Sequence, residues 1–336
     1  MAPPRPAAAF GQACCAALRV IEGSVPVELS YCVVNTDQRQ LLRYCLDAIA
    51  RERAAVPFET EVLVLDNASR DGSAGAARHH ATTDGVIVNE ERRGKGENDT
   101  ALLRRATGRY CLLLNEDSEL RPGAVAALHE AITAHPKAGA AGAMLVRPDG
   151  GQQPSAWRFP SPRTALIGAL FLHRRLTVQS TGTETREVDW AQSAALLVDR
   201  AAAAEIGWFD PSFFVYSDEV DFCKRLSEAG RSVLYVPSAV CAHHEQLSTG
   251  PIPERRIVEL SRNRDRYMRK HHSATAARSV RWLTAWTYGV RTVAAVVVPG
   301  HDPRRYWRHV RATLRPEHGE GLREAAYEHN RGGRRL

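Results

Sequence analysis

Four short runs of almost unbroken apolar residues, alternating with stretches of helical spacing, dominate the chain up to Asn115. Val27–Asn35, Glu61–Leu65, Val86–Val88 and Tyr110–Leu114 read as strands. Gln40–Ala50, with Leu41, Leu42, Cys45, Leu46 and Ile49 on one face, reads as a helix, as does Asn98–Ala106. Strands that lack polar alternation must be covered on both faces. The β-α-β-α order therefore predicts an α/β fold with a mixed, mostly parallel sheet and helices on both faces. Ligands of such sheets gather outside the carboxyl ends of the strands. The polar loops Asp66–Ser73 and Asn115–Ser118 fall at two such ends.

With 336 residues the chain has ample length for a core, as one large or two modest units. Hydrophobic residues at 44% and charged residues at 25% fit an ordinary globular protein, excluding a polytopic membrane protein and a wholly disordered chain. The seven cysteines, Cys14, Cys15, Cys32, Cys45, Cys111, Cys223 and Cys241, are odd in number and contain no C-x-x-C pair. Sitting mostly in apolar runs, they are expected to be buried thiols of a reducing compartment.

Residues 1–25, rich in Ala and Pro, read as a disordered leader, and residues 147–189 as a long excursion over the site. Ser193–Val198 resumes a strand and Ala201–Ile206 a short helix. Charge is divided unevenly along the chain: from Pro251 to Leu336 there are 19 Lys and Arg against 8 Asp and Glu, and before that 26 against 30. A basic tail on a mildly acidic body calls for an anionic partner, either a membrane leaflet or nucleic acid.

Each polar cluster admits two readings. Asp66-Asn67-Ala68-Ser69 can offer a carboxylate to a ribose or base N–H, or simply make a turn. Asn115-Glu116-Asp117-Ser118 supplies hard oxygen ligands suited to Mg²⁺ or Mn²⁺ on a diphosphate, or is a polar strand exit before Pro122-Gly123. Asp218-Glu219-Val220-Asp221 crowds three carboxylates beside aromatics, as a general base requires, or forms a capping box with Asp218 as N-cap and Asp221 at the third helical position. His243 and His244 follow a strand and suit a metal or phosphate oxygen, or lie solvated; Trp190 suits a sugar face, or a core.

The order of these signals resembles glycosyltransferase family 2, and most closely its rhamnosyltransferase-like branch. Val34-Asn35-Thr36-Asp37, Asp66–Ser73, Leu114–Ser118, Val188-Asp189-Trp190, Gly207-Trp208-Phe209-Asp210, Ser217–Arg225 and His243-His244 carry the likeness over residues 27–250, with a looser continuation through Arg262-Asn263-Arg264 and Arg269–His272. The resemblance implies a GT-A fold over residues 26–250, followed by a basic helical extension over 251–336. It implies inverting transfer of rhamnose or another hexose from a nucleoside-diphosphate sugar to an acceptor hydroxyl of a glycan or lipid-linked molecule, in cell-surface polysaccharide or glycolipid assembly. It assigns Thr36, Asp37, Asp66, Asn67, Asn98, Asp99, Asn115 and Glu116 to the nucleotide sugar, and Asp117 and His243 to a divalent cation. Trp190, Gln192 and Ser193 fall on the acceptor side, and Glu219, Asp218 and Asp221 at the base. Asn115 replaces the first carboxylate of the family's D-x-D element, Glu219 lengthens the expected Asp of its base motif, and Ser193 stands where Gly is common. The alternatives are a non-catalytic nucleotide-sugar-binding member of the same family and a basic nucleic-acid-binding protein.

The tail carries Arg and His clusters and an aromatic-aliphatic stretch from Trp282 to Pro299, which is interrupted by Arg291 and short of a clean span. It reads as interfacial helices on an anionic leaflet, or as a solvated helical subdomain. The protein is expected to be cytoplasmic and peripheral on the inner face of the cell membrane. Nucleic acid is not an expected partner, since zinc-finger spacing, RNP-like strands and a helix-turn-helix signal are absent from the sequence.

Overall fold

The computed structural model describes residues 26–244 and 253–333; the leader expected over residues 1–25, with Cys14 and Cys15, lies outside them. β1 (Leu29–Asn35), β2 (Thr60–Asp66), β3 (Gly85–Val88) and β4 (Tyr110–Asn115) are parallel neighbours in the order β3-β2-β1-β4. The helices α1 (Arg39–Ala55), α2 (Ser73–His79) and α3 (Lys95–Arg105) connect them. Strand periodicity explains both covering layers. Leu29, Tyr31 and Val33 join Val62, Val64, Leu112 and Leu114 in a core closed by Leu42, Leu46 and Ile49 of α1. Cys32 and Val34 point the other way with Leu63, Leu65, Cys111 and Leu113, onto Leu102 and Leu103 of α3. Cys32, Cys45, Cys111, Cys223 and Cys241 are buried free thiols.

Beyond β4 the sheet becomes mixed. β5 (Ser118–Leu120), α4 (Ala124–Ala134) and β6 (Ala138–Val146) lead into the excursion. That segment holds β7 (Gln152–Gln153), β8 (Ala156–Trp157), α5 (Pro162–Ala169), α6 (His173–Leu176), β9 (Arg186–Val188) and β10 (Trp190–Ala191). β11 (Ala195–Asp199), α7 (Arg200–Glu205), α8 (Asp218–Glu228) and β12 (Ser232–His243) complete the body. β11 runs antiparallel between β4 and β6, while β12 is parallel to β6 and antiparallel to β5. These reversals bring late segments of the chain back to the carboxyl edge of β4.

Four helices follow: α9 (Pro253–His271), α10 (Ala274–Ala294), α11 (Pro303–Leu314) and α12 (Leu322–Gly333). The tail is helical, as its pattern suggests, but it is built into the body. Tyr267 and Met268 of α9 are buried with Phe213 and Val220 of the body and Ala277 and Val280 of α10. Asn263, fully buried, donates to the Val215 carbonyl at 2.7 Å and to Glu259 at 3.0 Å.

Gly142 in β6 is where the small β8–β10 sheet presses on the main one. A Cβ there would lie 2.5 Å from the Cβ of Ala191. We expect Gly142→Ala to lower stability by about 1–3 kcal/mol through overpacking, measured by urea denaturation; an unchanged midpoint would show that β10 does not lie this close to the sheet.

Candidate active site

A cleft of about 480 Å³ opens at the carboxyl ends of β1, β2 and β4, a size suited to a small-molecule ligand. Its walls include Thr36, Asn67, Asn98, Asn115, Glu116, Asp117, Gln192, Ser193, Asp218, Glu219 and His243. Thr36 and His243, 207 positions apart, thus meet at one site, and the carboxylates after β4 and those at the start of α8 face a common space.

On the side formed by β1 and β2, an amide network sets the wall. Asn67 donates to the Arg93 carbonyl at 3.1 Å and accepts from Arg93 N–H at 2.9 Å. Asn89 bridges Asn67 and Asn98, donating to their side-chain oxygens at 3.2 and 2.9 Å. The Asn98 amide nitrogen is buried, lines the cleft and has no partner. Three residues expected here serve the wall from behind. Asp66 accepts from Asn35 at 2.9 Å and from Ser69 N–H at 2.9 Å, Asp37 accepts from Arg70 N–H and pairs with Arg92, and Asp99 pairs with Lys95 at 2.7 Å. None of the three lines the cleft. Burial raises the Asp99 carboxyl even against the Lys95 charge.

The next wall is made by strand pairing. β12 runs against β5 with His243 opposite Ser118, which sets the His243 ring beside Asp117, with Nε2 3.3 Å from Oδ1. Both side chains are buried, and Asp117 Oδ1 has no hydrogen-bond partner. On its other nitrogen His243 meets Gln153 Oε1 at 3.3 Å. With Nδ1–H donating to Gln153, the Nε2 lone pair and the orphaned Asp117 oxygen face one another, an arrangement that a divalent cation fits. Among the described residues no group of three or more His, Cys, Asp or Glu converges in a metal-holding arrangement. A cation held there would have two protein ligands, with room for phosphate oxygens and water. Burial, reinforced by the Asp117 charge, pushes Glu116 up to about 8.

The third wall is the first turn of α8. Tyr216 and Ser217 both take left-handed backbone, φ 66° and 62°, immediately before it. Consecutive non-glycine residues in this region are strained and need a surrounding structure that holds them. That support is α9: Arg256 Nε donates to the Tyr216 hydroxyl at 2.7 Å, and Asn263 holds the Val215 carbonyl. On the opposite side Lys95 N–H donates to the Phe214 carbonyl at 2.7 Å, and an added Cβ on Gly94 would lie 2.7 Å from that same oxygen. The strained turn places Asp218 and Glu219 in the cleft. Asp218 is fully buried; burial, then the adjacent Glu219 charge, holds its carboxyl well above the usual range. Of the pair, Asp218 is thus the carboxyl whose protonated form burial favours.

Two other expectations change here. The capping box does not form: Ser217 is the N-cap, and neither Asp218 nor Asp221 caps the helix by that motif. Asp221, which stands with the base residues in the sequence reading, faces away from the cleft. It is fully buried and accepts from Arg225 at 2.8 Å, His271 at 2.7 Å and Lys270 at 2.6 Å. Trp190 also lies off the cleft, stacked on Trp157 with centroids 4.5 Å apart, its Nε1–H donating to the Arg158 carbonyl. Gln192 and Ser193 do line the cleft, because β11 pairs Ala195 with Leu114.

Sequence reasoning missed Gln153, Lys95, Arg255, Arg256 and helix α12. Leu322, Ala325 and Ala326 of α12 close one side of the cleft with Arg255 and Arg256. Asn330 exchanges hydrogen bonds with the Arg92 backbone, His329 meets the Ala68 carbonyl at 3.0 Å, and Glu328 pairs with Arg255 at 2.8 Å. No motif marks these residues; the only available signal was the amphipathic pattern of residues 322–333.

The parallel strand core, the antiparallel insertion and the cleft at the carboxyl edge define a GT-A glycosyltransferase fold. Solved structures agree on that fold. A Pyrobaculum calidifontis mannosyltransferase, PcManGT, in complex with GDP-Man and Mn²⁺ superposes with a TM-score of 0.54 at 17% identity, covering 88% of this chain and 86% of that one. Residues 1–349 of Staphylococcus aureus TarS with UDP-GlcNAc give 0.53 at 12% identity, over 86% and 81%. Residues 30–185 match the family described as Glycosyl transferase family 2. The N-acetylglucosaminyl-diphospho-decaprenol L-rhamnosyltransferase of Mycobacterium tuberculosis (strain ATCC 25618 / H37Rv) is 29% identical over 267 residues, 73% of this chain and 87% of the relative. A shorter stretch of 64 residues is 36% identical to rhamnosyltransferase WbbL of Escherichia coli (strain K12), 18% of this chain and 24% of that protein. Residues 30–185 are thus similar to a family 2 glycosyltransferase domain, and the chain as a whole is similar to rhamnosyltransferases.

Replacing Asp221 by Ala strands the Arg225, Lys270 and His271 donors at the junction of α8 and α9. The expected cost is about 3–5 kcal/mol of folding stability, read from chemical denaturation; a loss of activity with stability intact would instead put Asp221 in the chemistry. Asp218 gives a pH signature. Its unfolded carboxyl ionises near 3.8 and its folded carboxyl at higher pH, so the folded state keeps the proton longer and stability falls as pH rises across that interval. Asp218→Asn should flatten the decline in Tm as pH rises above the ordinary carboxylate range; the wild-type slope surviving in the variant would show that Asp218 ionises normally.

Proposed function

We propose that this protein is an inverting glycosyltransferase that moves a hexose, with rhamnose the leading candidate, from a nucleoside-diphosphate sugar to a hydroxyl of a lipid-linked glycan in cell-surface glycan assembly. The observation that carries the reading is the convergence of the Asp117–His243 pair and the Asp218–Glu219 pair on one cleft. Rhamnose is favoured by the two rhamnosyltransferase relatives, and a lipid-linked acceptor by the decaprenol in the name of one of them. Solved neighbours with GDP-Man or UDP-GlcNAc, one of them also with Mn²⁺, support a nucleotide-sugar donor and a divalent cation.

In this reading Thr36, Asn67, Asn98 and Asn115 hold the donor, Asp117 and His243 hold Mg²⁺ or Mn²⁺, and Gln192 and Ser193 meet the acceptor. The cation, when bound, offsets the charge that develops on the departing diphosphate. Gln153 orients the His243 ring, so that Nε2 rather than Nδ1 faces the cleft. Glu219 accepts the proton of the acceptor hydroxyl as its oxygen forms the new bond to the anomeric carbon. The bond from that carbon to the diphosphate oxygen breaks in the same displacement, and a single displacement inverts the anomeric centre. Burial and the adjacent Glu219 charge raise the Asp218 carboxyl, since two adjacent carboxylates resist ionising together. Burial opposes the Lys95 ammonium, but the nearby carboxylates, Asp99 foremost, outweigh that cost and raise its proton affinity.

The test is turnover with a panel of nucleoside-diphosphate sugars, rhamnose donors included, in the presence of Mn²⁺. Glu219→Gln is expected to lower kcat by about two to four orders of magnitude while donor affinity stays within a few-fold. Full turnover in that variant removes Glu219 from the base role, and donor binding without transfer in the wild type leaves a nucleotide-sugar-binding protein.

A further inference from the structure

Among the described residues no helix is long and apolar enough to cross a membrane, yet α10 presents an uncovered apolar stripe. Trp282, Trp286, Val293 and Val297 are 66%, 63%, 72% and 80% exposed. Their spacing of four, seven and four residues puts them on one face of the helix and its final turn, roughly 22 Å from end to end at 1.5 Å per residue. Ala277, Val280 and Ala285, the buried residues of α10, lie on other faces, turned toward the helices it packs against. α5 is one of these neighbours, and the turn after it exposes Leu170, Phe171 and Leu172, with the Arg291 guanidinium of α10 5.8 Å from the Phe171 ring centre. The apolar surface is therefore composite, with a part from the excursion that the sequence did not connect to the tail.

Charge identifies what covers it. No Asp or Glu occurs between Asp149 and Glu184, nor between Asp265 and Asp302, so α5, α6 and α10 are free of carboxylates. Arg163, Arg174, Arg175 and Arg278 are exposed on them, and Arg304 and Arg305 on the adjoining α11. Basic groups crowd one another here. Burial with the nearby Arg291 and Arg174 lowers His173, and burial with Arg264, Arg305 and Arg291 pushes His309 down to about 4. A second copy of the chain would bring the same positive charge to the contact and be repelled. An anionic lipid surface complements it, and exposed tryptophans beside arginines suit the headgroup boundary.

We propose that the α10 stripe, together with the turn after α5, docks this protein on a bilayer leaflet containing anionic lipid, the Trp282 and Trp286 rings entering the headgroup boundary. This assignment stands apart from the catalytic reading, and so does its test. Full-length protein is floated with vesicles of phosphatidylcholine alone or with phosphatidylglycerol added. Co-flotation with the anionic vesicles only, with a blue shift of tryptophan emission, is expected. Trp282→Ser with Trp286→Ser should weaken it by about tenfold or more, and Arg174→Glu with Arg175→Glu by about fivefold per residue, with the thermal unfolding midpoint unchanged in both. The proposal is overturned by absence of flotation, by equal flotation with neutral vesicles, or by variants that float like the wild type. It is equally overturned if light scattering shows a dimer that the tryptophan substitutions dissociate, which would make the stripe a contact between copies.

Discussion

The cleft depends on a buried ionic junction that never touches it. Asp221 has no exposed surface, and its two oxygens are taken by Arg225 from its own helix and by Lys270 and His271 from α9. An unpaired carboxylate at this depth would be expelled or protonated, so the charge specifies one docking of α8 against α9. Lys270 also pairs with Asp210 at 2.6 Å, holding the start of the loop that leads to α8. With that loop held at one end by Lys270 and at the other by Arg256 and Asn263, the strained backbone at Tyr216 and Ser217 persists and places Asp218 and Glu219 in the cleft that Asp117 also lines.

This arrangement gives the basic tail a role that charge arithmetic hides. Its first helix braces the strained turn before α8 and its last one walls the cleft, where Arg255 is held by Glu320 and Glu328. The strongly basic surface left over lies on α10, α11 and the excursion. On the proposed function and docking surface, such a division would keep the face that meets lipid apart from the residues that meet the donor.

Much of the body was legible along the chain. The four apolar runs became β1 to β4, and the loops at their ends became cleft walls, because a strand buried on both faces has few other places to go. Asn115, Glu116, Asp117, Gln192, Ser193, Asp218, Glu219 and His243 were all recognised by motif and all meet in the cleft. Misplacement came where a residue's type suited two environments. Asp221 and Trp190 are chemically fit for a base and a sugar platform, but one answers to cations fifty positions away and the other to Trp157. Asp66 and Asp37 sit in the right loops but spend their oxygens on the chain itself, and Asp99 in α3 pairs one of its oxygens with Lys95.

What the sequence alone determined was the alternation of elements and the carboxyl edge to which the polar loops must come, because hydrophobic period and strand length are local properties. Only the tertiary structure decided which carboxylates face the ligand, that Gln153 orients His243, that α12 closes the cleft, and that the turn after α5 shares a surface with α10. Each of these is a contact between segments distant in the chain, set by strand register and helix docking, and no local pattern encodes the partner.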